Sequence, residues 1–200
     1  LRPRTDKASP AETVRAEGLM FNSGGSGARP GLDGMNATAF PSGVMTMPVE
    51  ATEQVGPVII WRKELRPDSG GPGKHRGGLG QFMEVGVQDG YEFDLQAMFD
   101  RVQHPARGRR GGREGAPTTV ALDDGTEMRG KGKQFVAPGR TVKMAFPGGG
   151  GYGDPKERDS SAVRADLVCG YISAETAAQI YGLDKDEIAA IQAETSQGEV

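Results

Sequence analysis

Four short stretches of this chain are so rich in glycine that no regular helix or strand could run through them. They are FNSGGSGARPGLDG (21–34), PDSGGPGKHRGGLG (67–80), HPARGRRGGREGAP (104–117) and PGGGGYGDP (147–155). Glycine loses more conformational freedom on ordering than any other residue, yet it admits positive φ and close approach of backbone. Such loops are therefore expected to pack against other backbone or against a ligand. Glycine and proline account for 32 and 13 of the 200 residues, just under the level at which low-complexity disorder becomes the default. Hydrophobic residues at 36% and a net charge of only −3 still permit a buried core. The chain is read as folded and loop-rich, with the mass of one ordinary domain or two small ones.

Between the glycine loops the patterns are those of strands. VGPVIIWRKELR (55–66) is β-branched and aromatic, with prolines at its bounds. QFMEVGVQ (81–88) and YEFDLQAMF (91–99) alternate apolar with polar residues around Asp89-Gly90, a strong short signal for a hairpin. TTVALDDGTEMR (118–129) suggests a second hairpin at Asp124-Gly125, and TVKMAF (141–146) leads into the last glycine run. Earlier, AETVRAE (11–17) fits a short helix closed by Gly18. Residues 35–51 show only short alternating stretches broken by proline and glycine.

After Asp154 the period becomes helical. SAVRADLV (161–168) closes at Gly170, Ser173 caps a helix that stops at Gly182, and Asp184 with Glu187 forms a capping box. Residues 154–200 carry ten acids and four bases, net −6, against +3 for the rest. The expected fold is mainly antiparallel β with a short helical C-terminal end, α+β overall. The expected division is a glycine-rich β body (1–153) and an acidic helical segment (154–200).

Motifs with a specific chemistry fall away one by one. GGGGYG (148–153) matches G-x-G-x-x-G after a strand, but a dinucleotide site needs a helix opening at once and Asp154-Pro155 intervenes. GPGKHRGG (71–78) has Asp68 and His75 where a P-loop needs Gly and Ser or Thr. His75 and His104 are the only imidazoles and have no carboxylate at ligand spacing, so each reads as a loop histidine and no metal site is assigned. RGRRGG (107–112) has the letters of an RNA-binding box without interleaved aromatics, in an acidic protein, and a solvated or subunit-facing loop is the better reading. Cys169 is alone, which excludes an internal disulfide. The longest apolar run is Val58–Trp61, and LRPRTDKASP has no apolar signal region, so no membrane span and a cytoplasmic location are expected.

Three stretches taken together resemble a known family. GGSGARPGLDGMNATAFPSGVMTMPVE (24–50), LRPDSGGPGKHRGGLG (65–80) and PGGGGYGDPKERD (147–159) are similar in order and spacing to the C-terminal part of hydantoinase B/oxoprolinase chains, and VRADLVCGYISAETAAQIYGL to that family's C-terminal helices. The resemblance implies a two-part ATP-dependent amidohydrolase. Its A-type component binds ATP with Mg and phosphorylates the oxygen of a lactam or imide. Its B-type component then hydrolyses the activated ring of a hydantoin, 5-oxoproline or lactam. A related branch, the acetone and acetophenone carboxylases, implies an alternative role as a subunit of a ketone carboxylase. B-type chains are usually much longer, and a divalent metal with its Asp and His ligands is expected in the N-terminal half, which this chain does not contain. No catalytic residue is carried over. The implied partners are the A-type ATP-binding subunit and that N-terminal half, with no membrane and nucleic acid unlikely.

The GGSGARPGLDG loop is expected to lie beside the active-site cavity. Arg29 and Asp33 should face it, with Gly25 and Gly27 in its wall. An Arg–Asp pair that merely pins the loop is the competing reading. PGGGGYGD is expected to be structural, joining the last strand to the acidic helices through positive-φ turns.

Overall fold

Alternation along the strands sorts side chains to two faces, and the buried faces meet in one core. This computed structural model describes residues 2–3, 18, 20, 22–38 and 47–197. Among them β1 (Arg2–Pro3), β4 (Tyr91–Met98) and β6 (Lys131–Val136) form an antiparallel sheet in the order β1-β4-β6. A second antiparallel sheet runs β2-β3-β7-β5, from β2 (Val58–Leu65), β3 (Gln81–Val87), β7 (Val142–Ala145) and β5 (Thr119–Leu122). Met83 and Val85 of β3, Val120, Val142, Met144 and Phe146 pack with Val136 of the other sheet, and Phe93 and Leu95 of β4 close over them. The predicted α+β character holds.

The strand segments read from sequence are present, but their pairing is not what the turns suggested. Asp89-Gly90 does turn, with Gly90 at φ +87 and the Tyr91 N–H donating to the Gln88 carbonyl at 3.1 Å. The expected hairpin nevertheless fails. Both edges of β3 are occupied by β2 and β7, while β4 pairs with β1 and β6, so this turn carries the chain from one sheet to the other. Likewise Asp124-Gly125 turns at φ +86, but its second arm shrinks to a single bridge from Ala121 to Glu127, and β5 pairs with β7. β6 went unread because KGKQFV buries only Val136 fully. The five-residue helix α1 (Val49–Glu53) was hidden among prolines and glycines. The helix predicted over 11–17 lies outside the described residues.

The C-terminal helices follow the caps. α2 (Ser160–Val168) starts at Asp159, whose carboxylate accepts from the Ser161 N–H, and ends before Gly170 at φ +66. α3 (Ala174–Gln179) is capped by Ser173 Oγ, which accepts from the Thr176 N–H at 3.1 Å. At α4 (Lys185–Gln197) Asp184 caps the Asp186 N–H at 2.9 Å, but Glu187 does not close the box, because its carboxylate pairs with Arg164 of α2. Val163, Ile172, Ala177, Leu183, Ile188 and Ile191 make a second apolar cluster between these helices.

The glycine loops join the two clusters, and they do so as a packed body of backbone. A Cβ on Gly148 would strike Ser69–Gly70, on Gly149 Ser26–Gly27, on Gly150 Arg107–Gly108, and on Gly151 Gly71–Pro72, each under 3.0 Å. The neighbour met at Gly151 is the one met at Gly148, so the contacts repeat every three residues. An extended backbone with three residues per turn has that repeat and no internal hydrogen bonds. Its peptide groups therefore bond outward: the N–H groups of Gly148, Gly149 and Gly151 donate to Ala116, Gly78 and Arg113. The Gly149, Gly150 and Gly151 carbonyls accept from Gly71, Ala28 and Arg109. The run is structural, as expected, but the reason is corrected. Gly148–Gly151 are not in the positive-φ region, and only Gly153, at φ +76, is a turn of that kind. These glycines are required by proximity.

Substitution should separate proximity from conformation. Gly149→Ala places a methyl group against the Ser26 carbonyl and is expected to lose roughly 3 kcal/mol or more. Gly27→Ala, whose Cβ would meet its nearest atom at 3.9 Å, should cost less than about 1 kcal/mol. Chemical denaturation of the two variants checks the contrast; equal losses would contradict it.

Candidate functional site: a cationic cavity on the glycine strands

Where the 24–27, 101–109 and 147–150 segments diverge, they leave a cavity of about 580 Å³. Gly24, Gly25, Ser26 and Gly27 form one wall and Pro147–Gly150 the floor. Arg101, His104, Arg107 and Arg109 stand on the remaining side. No carboxylate among the described residues lines it. Arg107 and Arg109 come from the basic glycine-rich loop and Arg101 from just before it, and the loop's glycines are held in the lattice of packed backbone: Gly108 and Gly112 pack backbone to backbone, and Gly112 lies on Gly151. RGRRGG is thus an ordered loop, with a turn at Arg110–Gly111 and a bridge from Arg109 to Tyr152. The Gly148, Gly149 and Gly151 amides are occupied by carbonyls, so the GGGG run presents no row of N–H groups to a pyrophosphate. Among the described residues no three His, Cys, Asp or Glu side chains come together as a metal site.

A second polar feature lies on the other side of the lattice. Arg76 and Arg158 are 3% and 8% exposed and share Asp166, itself 6% exposed. Arg76 Nε lies 3.1 Å and Arg158 Nη2 2.7 Å from Asp166 Oδ2. Arg158 also grips Asp33 in a two-pronged pair, Nη1 to Oδ1 at 2.9 Å and Nη2 to Oδ2 at 2.7 Å. Asp33 Oδ1 accepts the Arg76 backbone N–H at 2.8 Å as well. Two cations and two anions balance, as buried charge requires. Partial burial alone would raise the Asp33 pKa, but the Arg158 hydrogen bond and charge, with the Arg76 N–H, hold it below its ordinary value. For Arg158, burial works against the charge and the two aspartates overcome it, raising its pKa.

The residues chosen from sequence are divided between these two places. Gly25 and Gly27 lie in the cavity wall. Arg29 and Asp33 do not. Arg29 is exposed in a tight turn whose backbone bonds Arg29 and Leu32 in both directions at 3.1 Å. Asp33 does pin its loop, with Arg158 rather than Arg29 as its partner. His75 is half-buried, and its Nε2 accepts the Gly31 N–H at 3.1 Å, while His104 is exposed at the cavity. Sequence reasoning missed Arg101, Arg107 and Arg109 as lining groups. The available signal was a basic loop rich in glycine, like the loops it packs on.

Packed glycine strands between a β core and three short helices mark a specialised class of scaffold, and comparison with known proteins assigns it. The sequence profile of the hydantoinase B/oxoprolinase family matches residues 5–155. The B-type chain of a D-/L-hydantoinase from Pseudomonas sp. (strain NS671) is 31% identical over 175 residues, covering 82% of this chain and 29% of its own length. The acetophenone carboxylase delta subunit of Aromatoleum aromaticum is 30% identical over 203 residues, 83% of this chain and 30% of its own. The crystal structure of the ATP-dependent caprolactamase from Pseudomonas jessenii superposes with a TM-score of 0.68 at 28% identity, over 88% of this chain and 33% of that one. This chain belongs to the hydantoinase B/oxoprolinase family. It spans less than a third of the length of the curated relatives it matches.

The charge cluster makes a prediction about acid stability. Folded Asp33 holds a proton less readily than its unfolded form, whose pKa is near 3.8. Its stabilisation is therefore full above that pH and fades as the pH falls through the lower folded value. Asp33→Asn should flatten the fall of melting temperature below about pH 4 relative to the parent. Asp166→Asn, which leaves two buried arginines short of an anion, should cost about 3 to 5 kcal/mol at neutral pH. Thermal unfolding from pH 2 to 7 measures both.

Proposed function

We propose that this chain is part of the B-type component of an ATP-dependent amidohydrolase that opens a cyclic amide, a hydantoin, 5-oxoproline or lactam, after phosphorylation of its oxygen. The family match over residues 5–155 carries the reading. The chemistry is sound because an amide is a poor electrophile, and a phosphorylated oxygen becomes a leaving group that lets water attack over a far lower barrier.

On this reading ATP and Mg belong to an A-type subunit, and a catalytic divalent metal belongs to the remainder of the B-type polypeptide. The described residues of this chain do not fit either group, having no ligand cluster and no open row of amides. Their work is to shape and charge one wall of the pocket and to meet other polypeptide. Trp61, Met98 and Phe135, exposed at 64%, 78% and 59%, are apolar surface for such contacts. A cytoplasmic location agrees with this assignment, and no helix among the described residues is long and apolar enough to cross a membrane.

The likeness to the acetophenone carboxylase delta subunit favours a second reading, a subunit of a ketone carboxylase. Bicarbonate-dependent consumption of ketone with ATP would identify it.

The chain alone is expected to be inert toward hydantoin, 5-oxoproline and caprolactam with ATP and magnesium. Supplied with the rest of the B-type polypeptide and the A-type subunit, it should support ring opening coupled to ATP hydrolysis. Turnover by the isolated chain would overturn the division of labour.

A further inference from the structure

We propose that the cavity between the glycine strands and the 101–109 loop is a binding site for a single phosphoryl-type oxyanion, held by Arg107, Arg109, Arg101 and the backbone amides of Gly27 and Gly150. Charge is the first argument. Arg62, Arg76, Arg140, Arg158 and Arg164 each have a carboxylate partner. Arg107 and Arg109 have none among the described residues, Arg101 forms no ion pair there and feels only the charge of the adjacent Asp100, and no acid among them lines the cavity the three share. Asp100, next to Arg101, is turned to Lys131 Nζ at 2.7 Å. Three guanidiniums around one space repel one another until an anion arrives, and their planar forks match oxyanion geometry.

Position is the second argument. Arg101 sits at φ +60, a conformation that costs energy for a long side chain and persists only where neighbours enforce it. Buried Thr118 enforces it: its N–H donates to the Arg101 carbonyl at 3.0 Å and its hydroxyl to the Asp100 carbonyl at 2.6 Å. Arg109 is fixed by its N–H to Gly151 and by its carbonyl to Gly112 and Gly153. The Arg107 backbone lies directly on Gly150. The backbone that carries the three cations is thus placed before any ligand binds, which lowers part of the ordering cost of binding.

Amides are the third. Ser26, Ala28, Gly149 and Gly151 all donate to carbonyls, whereas the N–H groups of Gly27 and Gly150 have no partner among the described residues. Both belong to the cavity lining. Along the glycine floor the Gly148 and Gly149 amides are already taken, so a polyphosphate chain finds no continuous cradle there, whereas a lone phosphoryl group needs only the amides left open. Such a group is what ATP-dependent activation places on a cyclic amide, so the origin of the ligand, though not the site, rests on the function proposed above.

Orthophosphate titrated calorimetrically into the complete enzyme should bind saturably, and the double variant R107Q/R109Q should weaken it about tenfold or more. R110Q/R113Q removes the same charge from the same loop away from the cavity wall, and should leave binding within about twofold. A non-hydrolysable ATP analogue should not compete with orthophosphate there. Equal weakening by both double variants, competition by the nucleotide analogue, or no phosphate binding with subunit assembly lost in R107Q/R109Q would each overturn the site. The last result would make the arginines a docking face for acidic polypeptide. Ring opening that persists while phosphate binding ignores R107Q/R109Q would sink the site and leave the amidohydrolase reading. Phosphate binding sensitive to R107Q/R109Q, in an enzyme that opens no cyclic amide, would do the reverse.

Discussion

The close passage of Gly148–Gly151 between three other backbone segments is the constraint on which the rest of the architecture depends. Each of the four positions faces another main chain at a distance no Cβ could occupy. Strands in a sheet meet two neighbours and leave two faces for side chains. An extended three-fold strand can meet neighbours on three sides, and then has no face left. That geometry explains why a chain with 32 glycines is folded. The conformational entropy that glycine loses is offset by hydrogen bonds that leave few peptide groups without partners in the interior.

Glycine strands cannot hold elements together by apolar burial, so the helical end is fastened by charge. Arg76 leaves the second glycine loop, Asp33 the first, and Arg158 and Asp166 flank the start of α2 and lie within it. A single cluster thereby ties two loops to the helices on one side of the lattice. The segment 154–200 carries net −6 overall, yet the residues it contributes to this contact, Arg158 and Asp166, are neutral as a pair. Its excess acid faces solvent, as at Asp184 and Asp186.

Local features were legible from sequence where the signal was local. Ser173 capped its helix, Gly170 and Gly182 ended theirs, and alternation in 81–87 and 91–98 found two real strands. Partnership was not legible. Alternation states which residues face inward and is silent on which strand lies alongside, so Asp89-Gly90 looked like a hairpin and is a passage between sheets. The glycine runs were recognised as backbone-packing elements, but positive φ, the more familiar use of glycine, was assigned where proximity was the cause. Asp33 was singled out for being a charge among glycines. Its partner Arg158 lies 125 residues away, beyond any pattern in a local window.

The same lattice decides where chemistry can occur. A wall built mostly of glycine offers chiefly peptide groups, and many of those are bonded to one another. Long side chains reach the cavity from places where the chain leaves the lattice, as it does at Arg101–His104 and at the turn around Arg109 and Arg110, with φ +60 and +55 at Arg101 and Arg110. Those exits supply cations and an imidazole, and no nucleophile beside a base. The scaffold can therefore hold and orient an anionic group with backbone that is already in place. A rigid, side-chain-poor wall suits that role, because nothing in it has to move for a second protein surface to close over the opposite side.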